Sequence, residues 1–182
     1  MSASISGRGL RHISMLDNVC EESRKTMNLT QFPISKLCGT GNDFLIIDLI
    51  SQPTRQGTQK LLSKISRRDL ALRLCERRNG LGADGLVFLQ VSEKDNCDFQ
   101  WDFYNSDGSK AEMCGNAARC VAYWASEKNL AQATMTFETG AGDVGASVQA
   151  MDRVTVDMPE VHVEAFNQEL QVNGQAFTYS FI

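Results

Sequence analysis

The chain has 182 residues and a formal net charge of −4, with 42% apolar and 22% charged residues. This composition excludes an intrinsically disordered chain, which would be poorer in apolar residues, and the mildly acidic balance argues against a nucleic-acid-binding surface. No apolar run reaches the roughly 18–20 residues that a membrane-spanning helix needs. We therefore expect a globular protein that binds neither nucleic acid nor a membrane.

Strands and one long helix are predicted for the first half of the chain. Residues 1–27 are polar, rich in serine and without periodic pattern, which predicts a disordered leader. Two strands follow, at 32–37 and 44–49, on either side of a glycine loop. Residues 58–77 carry leucines at roughly helical spacing and predict one helix. A turn-rich glycine loop then leads to a strand at 86–91.

Strands dominate the second half of the chain. Residues 97–104 alternate apolar and polar side chains, so one face of this strand is predicted to be buried. A helix is predicted from Cys114 to about Lys128, with a stripe of small residues suited to close packing. Three further strands are predicted at 134–139, 144–150 and 153–158, and two more beyond Pro159. Many strands with two helices predict an α+β fold rather than strict alternation of strand and helix.

Two glycine turns in this half predict hairpins. Asn173-Gly174, between two apolar segments, is the dipeptide that two-residue hairpin loops favour. Gly140 to Gly145 fits the pattern G-x-G-x-x-G of dinucleotide-binding loops, but an alternating strand follows it where that motif requires a helix. We therefore predict a hairpin turn there and no dinucleotide cofactor.

Six cysteines are many for this length, and the redox state of the cellular compartment determines whether they form disulfides. They stand at positions 20, 38, 75, 97, 114 and 120. No apolar signal-peptide stretch precedes them, so we expect reduced thiols and a cytoplasmic location rather than disulfides. The two histidines lie far apart in the sequence and no cysteine pair has the spacing of zinc ligands, so we predict no metal site.

The segment from Asn105 to Cys120 is the most informative, because it places Cys114 at the start of the predicted helix, followed by Gly115 and Asn116. The first N–H groups of a helix have no intrahelical partner and, with the helix dipole, favour an anion. A thiol there gains thiolate character, and a glycine lets a substrate carboxylate approach the same N–H groups. Spacing alone leaves open whether Cys114 is such a reactive thiol or a buried structural one.

Three glycine-rich segments follow one another in a recognisable order. They are Gly39-Thr-Gly-Asn42-Asp-Phe44, then Gly80-x-Gly82-x-Asp84, then Asn105-x-Asp-Gly-Ser followed by Cys114-Gly115-Asn116-x-x-Arg119-Cys120. Together they resemble the signatures of the diaminopimelate epimerase family, over about residues 30–160. The resemblance implies a lobe of mixed and antiparallel β-structure wrapped around a central helix at about 114–128. It places the first lobe at 28–159 and the opening strands of an incomplete second lobe at 160–182.

The resemblance also implies an activity. Diaminopimelate epimerases interconvert LL- and meso-2,6-diaminopimelate without a cofactor, on the route to lysine and peptidoglycan, by proton transfer between the α-carbon and two thiols on opposite faces. Cys114 would be the first-lobe catalytic thiol, and Gly115 and Asn116 would hold the substrate carboxylate. Asn42 and Asn105 would contact the substrate through their side chains.

The second thiol of the family has no matching segment in this sequence. We therefore expect a truncated chain whose own epimerisation is weak or absent. An alternative is a homodimer in which two Cys114 thiols face one substrate, since two-fold interfaces are self-complementary. A further alternative is a non-catalytic remnant that binds an amino-acid carboxylate, and another is a related racemase or isomerase with a different substrate.

Overall fold

The computed structural model describes residues 11–13, 33–51, 54–158 and 165–181. The leader predicted at 1–27 lies outside these residues except for a short strand, β1 (Arg11–Ile13), which pairs antiparallel with the next strand. Pro159 also lies outside them. The division of the chain into a first lobe and the start of a second therefore stays a prediction.

Strands outnumber helices throughout the described residues, as the α+β prediction requires. The helices are α1 (Thr54–Leu62), α2 (Arg67–Cys75) and α3 (Gly115–Glu127). The remaining strands are β2 (Ile34–Gly39), β3 (Asn42–Asp48), β4 (Gly85–Gln90), β5 (Phe99–Asn105), β6 (Lys110–Ala111), β7 (Thr134–Thr139), β8 (Gly142–Ala150), β9 (Arg153–Val156), β10 (Ala165–Val172) and β11 (Gln175–Phe181). No helix in the described ranges is long and apolar enough to cross a membrane.

One large mixed sheet carries the fold. Its strand order is β1-β2-β3-β4-β5-β7-β8-β9, with β6 paired to β5 alone, while β10 and β11 form a separate hairpin. The β3–β4 and β5–β7 pairs are parallel and the others are antiparallel. Helix α3 contacts β2 and β3 near one end of this order and β8 and β9 at the other. The sheet therefore curls around α3, which confirms the predicted lobe with a central helix.

Both faces of the central strands are buried. Along β3, Phe44 and Ile46 belong to the core around α3, whereas Leu45 and Ile47 belong to a second core under α1 and α2. Successive side chains of a strand point to opposite faces, so a strand between two helical layers becomes a continuous apolar run. Strand β5 places Phe99, Trp101 and Phe103 in the α3 core, as its predicted alternation requires.

Small residues let α3 approach the sheet closely. The predicted stripe is fully buried and comprises Ala117, Ala118, Val121, Ala122 and Ala125. Opposite it, a Cβ atom added to Gly39 of β2 would lie 2.7 Å from Cys120 Sγ and 3.2 Å from the carbonyl oxygen of Asn116. Gly39 is therefore needed for the close contact of α3 with β2.

The single helix predicted at 58–77 is wrong, because the structure has two helices there. Helix α1 ends at Leu62, and Ser66 caps a new helix by accepting a hydrogen bond from the Asp69 N–H at 3.0 Å. The Ser66 hydroxyl also donates to the Asp69 carboxylate at 2.8 Å. Both helices place leucines in the same core, so the apolar spacing continues across the break.

The structure has a hairpin turn in the glycine loop between β2 and β3 and another at Asn173-Gly174, where the dipeptide predicts it. Thr40 and Gly41, between β2 and β3, have φ values of 52° and 91°, and Asn173 and Gly174, between β10 and β11, have 50° and 78°. Two successive positive φ values are the mark of a type I′ turn, whose twist matches that of the flanking strands. The glycine segment that begins at Gly140 joins β7 to β8 as a hairpin, which confirms the predicted hairpin turn.

Candidate functional site

The start of α3 has no side-chain cap. Cys114 is the N-cap residue, with an extended backbone (φ −149°, ψ 114°), and its side chain makes no capping hydrogen bond. Its carbonyl oxygen accepts the first helical bond, from the Ala118 N–H at 2.8 Å. The first turn contains no acidic residue. The half-buried thiol of Cys114 thus stands beside main-chain N–H groups that a bound anion can use.

Gly115 lies in the first turn of α3, close to the side chains of Met158 and Arg119. A Cβ atom added there would lie 3.3 Å from Met158 Sδ and 3.7 Å from a guanidinium nitrogen of Arg119. The separation from the Met158 sulfur is tighter than ordinary packing. A side chain at position 115 would therefore require Met158 to shift by a few tenths of an ångström.

Two of the predicted substrate-binding residues hydrogen-bond to each other. Asn116 donates through Nδ2 to Asn42 Oδ1 at 2.7 Å, and Asn42 donates through Nδ2 to Asp84 Oδ2 at 2.9 Å. At the other end, the Arg119 guanidinium donates to Asn116 Oδ1 and to Thr40 Oγ1. We call the hydrogen-bonded series Asp84–Asn42–Asn116–Arg119 the amide chain. It joins the start of α3, the β2–β3 turn and the loop before β4, which belong to the three glycine-rich segments.

A charge cluster supports the Asp84 end of the amide chain. The Arg77 guanidinium donates to Asp84 Oδ1 at 2.7 Å and to Asp43 Oδ1 at 2.8 Å, and the Lys36 ammonium lies 3.1 Å from Asp43 Oδ2. Burial by itself raises the pKa of Asp43, but hydrogen bonds from Arg77 and Lys36 outweigh it and lower this pKa to about 2. The Asp84 N–H also donates to the Asp43 carbonyl oxygen at 2.8 Å. The loop that presents Asp84 is therefore tied to β3.

Asn105 lies beside this cluster but is engaged with its own turn. It ends β5 opposite Gly85, and its side-chain amide donates to Ser109 Oγ at 3.0 Å. The next residue, Ser106, donates its N–H to the Asp84 carbonyl oxygen at 3.0 Å. Across the described residues no hydrogen bond joins Asn105 to the amide chain. The structure thus brings Asn42 and Asn116 into contact and leaves Asn105 at the edge.

The other described cysteines differ from Cys114 in environment. Burial raises the pKa of both Cys75 and Cys120 to about 12, which suits structural thiols, and burial also raises the pKa of Cys97. Cys38 is exposed on β2, and all five described cysteines are free. Within the described ranges no group of His, Cys, Asp or Glu side chains could hold a metal ion.

Five charged residues of the site carry no role in the sequence-based prediction. They are Asp43, Asp84, Arg119, Lys36 and Arg77, of which the first three lie inside the glycine-rich segments that define the resemblance. Asp84 could have been found from the sequence, because it is a charged residue between glycines and belongs to neither a helix pattern nor a strand pattern. Arg119 shows no such signal, because a helix surface accepts arginine anywhere.

Comparison with known proteins places the chain in a family. The family model described as diaminopimelate epimerase matches residues 34–164. A diaminopimelate epimerase from Hydrogenobaculum sp. (strain Y04AAS1) is 36% identical over 149 residues, which are 82% of this chain and 53% of that protein. One from Carboxydothermus hydrogenoformans is 42% identical over 159 residues, 81% of this chain and 55% of that protein. The chain thus spans about half the length of these relatives.

Solved structures share the fold at low sequence identity. A hydroxyproline epimerase from Agrobacterium vitis, with bound trans-4-OH-L-proline, superposes with a TM-score of 0.61 at 14% identity, covering 81% of this chain and 47% of that one. A probable proline racemase from Agrobacterium radiobacter K84, with bound carbonate, gives a TM-score of 0.61, 14% identity and the same coverage of 81% and 47%. At this identity the likeness establishes the fold alone.

Proposed function

The chain belongs to the diaminopimelate epimerase family, and we propose that it supplies one catalytic thiol of a cofactor-independent epimerase acting on LL- and meso-2,6-diaminopimelate. One observation carries this proposal. The half-buried Cys114 thiol stands at the uncapped start of α3, beside an asparagine pair that joins this helix to the β2–β3 turn. A thiolate next to an anion-favouring helix start can take the α-proton of an amino acid whose carboxylate is bound by the N–H groups of that helix.

Cys114 acts as the base on one face of the substrate. Its thiolate takes the α-proton, so an S–H bond forms as the Cα–H bond breaks, and the electron pair stays on the α-carbon and delocalises into the carboxylate. We assign Gly115 and Asn116 to hold that carboxylate, where the N–H donors at the start of α3 stabilise the growing negative charge. Asn42 and Asn105 are assigned to side-chain contacts with the substrate.

Inversion needs a second acid on the opposite face. A proton returned by Cys114 itself restores the original configuration, so epimerisation requires another thiol whose S–H bond breaks as the new Cα–H bond forms. Since the chain spans about half of its relatives, we propose that this thiol lies in sequence that corresponds to their other half. A homodimer with two facing Cys114 thiols is the alternative arrangement. Both thiols must stay reduced, which supports a cytoplasmic location.

Deuterium exchange at the α-carbon tests the role of Cys114. The protein is incubated with meso-diaminopimelate in heavy water, and deuterium at the α-carbons is measured by mass spectrometry. Replacement Cys114→Ala is expected to slow exchange roughly 10²–10⁴-fold, the usual contribution of a positioned general base. Cys97→Ala is the matched control, because Cys97 precedes the opposite end of β5 from Asn105. Exchange by Cys114→Ala at the wild-type rate would refute the proposal.

Stereochemical analysis of the same samples tests the need for a second thiol. Exchange without inversion is expected from a monomer of this chain, because a single base serves one face. Inversion at the rate of exchange, by a chain that sedimentation shows to be monomeric, would rule out this requirement. Inversion that appears only with a dimer and disappears in Cys114→Ala would instead establish the facing-thiol arrangement.

A further inference from the structure

Ionised side chains fix the direction of the amide chain at both ends. A carboxylate only accepts hydrogen bonds and a guanidinium only donates them, whereas an asparagine amide can do either by turning over. Asp84 therefore obliges Asn42 to present its NH₂ group, which turns the Asn42 carbonyl towards Asn116. Arg119 obliges Asn116 to present its carbonyl, which turns the Asn116 NH₂ group towards Asn42. The constraint from Asp84 and the constraint from Arg119 are compatible, so a single orientation of the Asn42 and Asn116 amides forms every hydrogen bond of the amide chain.

Each of the two asparagines keeps one N–H group that the amide chain does not use. Each asparagine NH₂ group has two hydrogens, and the chain uses one of them on Asn42 and one on Asn116. One N–H on each amide is thus unassigned within the described part of the chain. The main-chain N–H groups in the first turn of α3 are donors as well. These N–H donors can bind both oxygens of a carboxylate, whereas a neutral carboxamide offers them one oxygen and one NH₂ group, and an N–H donor cannot bind an NH₂ group.

We propose that Asp84 and Arg119 are positioning residues that set the amide direction and thereby select a substrate carboxylate over a carboxamide. Arg77 occupies Asp84 Oδ1, which leaves Oδ2 for the Asn42 amide and the Asp43 N–H. The identity of the carboxylate ligand rests on the proposed function. The amide direction does not, because it is a property of the free protein.

Side-chain amide exchange tests the amide direction without any substrate. In ¹⁵N-labelled protein, the Asn42 hydrogen bonded to Asp84 is expected to exchange with solvent at least about tenfold more slowly than the side-chain amide of the exposed Asn129. Asp84→Asn removes the acceptor-only end, and the protection of Asn42 should fall towards that of Asn129. An unprotected Asn42 amide in the wild-type protein would overturn the proposal.

Ligand selectivity tests the consequence. Calorimetry with meso-diaminopimelate and with its mono-α-carboxamide gives a ratio of affinities for each variant. We expect Asp84→Asn and Arg119→Gln to lower the carboxylate preference about tenfold, and Arg119→Lys, which keeps a donor-only group, to retain it. Asp143→Asn is the matched control, because Asp143 lies on β8 and forms an ion pair with Lys94. A merely structural role would weaken both ligands alike, and an unchanged ratio would overturn the proposal.

The two proposals fail in different ways. Protected asparagine amides in a wild-type protein that exchanges no α-deuterium would refute the proposed function and leave the amide direction standing. Unprotected amides in a protein with normal Cys114-dependent exchange would refute the amide direction and leave the function standing. If Asp84→Asn fails to fold, the Arg119→Gln and Arg119→Lys pair tests the same chain from its other end.

Discussion

The Asp43 ion pairs should make stability fall in acid. Lys36 and Arg77 lower the pKa of this carboxyl from 3.8 to about 2, and each pH unit is worth about 1.4 kcal/mol, so Asp43 stabilises the fold by about 2 kcal/mol at neutral pH. Because the pKa is lower in the folded protein, this contribution is complete above about pH 4 and is lost as pH falls towards 2. Arg77 is more than half exposed, so added salt should reduce part of the effect.

Urea unfolding followed by tryptophan fluorescence measures this contribution. Between pH 5 and pH 2 the wild-type free energy of unfolding should fall by about 2 kcal/mol more than that of Asp43→Asn, which has no carboxyl to titrate. Asp152→Asn, in the exposed β8–β9 turn, is the control and should follow the wild type. Parallel pH profiles for the wild type and Asp43→Asn would refute the reasoning.

Three further predictions concern packing and thiol reactivity. Gly39→Ala and Gly85→Ala should each lower the free energy of unfolding by roughly 1–3 kcal/mol, because the new methyl groups would lie 2.7 Å and 2.4 Å from buried neighbours. By contrast, Gly57→Ala in α1, where nothing lies within 4 Å, should stabilise the protein by roughly 0.5–1 kcal/mol in the same urea measurement. Cys75 and Cys120, with pKa raised to about 12, should resist a thiol reagent at pH 8 until the chain is unfolded, and rapid reaction in the native state would contradict their burial.

Local patterns predict most of the elements because those elements follow local rules. The strand at 134–139 and the hairpin at Asn173-Gly174 lie where the sequence predicts them, since alternation and turn chemistry act over a few residues. The sequence-based prediction misses the break after α1. The spacing of leucines indicates which residues face the core, but it does not show whether one continuous helix carries them. The signal was present, since Ser66 and Asp69 have the spacing of a capping box.

The site is less predictable because its contacts span long separations. Asn42 and Asn116 are 74 residues apart, and nothing in either segment specifies that their amides meet. Resemblance to a family supplies both residues, but the direction of each amide depends on Asp84 and Arg119, which only the folded chain brings into place. Asn105 illustrates the same limit, because its amide hydrogen-bonds to Ser109 in its own turn.

The curl of the sheet links stability to the site. Helix α3 packs on β2 through Gly39, and the residues that follow Gly39 form the turn that carries Thr40 and Asn42 to the start of the helix. A side chain at position 39 would push α3 away from β2 by its contact with Cys120 and would lengthen the Asn42–Asn116 hydrogen bond at the same time. Close packing in the core is therefore what holds the asparagine amides beside Cys114, and faults in that packing should reduce α-proton exchange as well as stability.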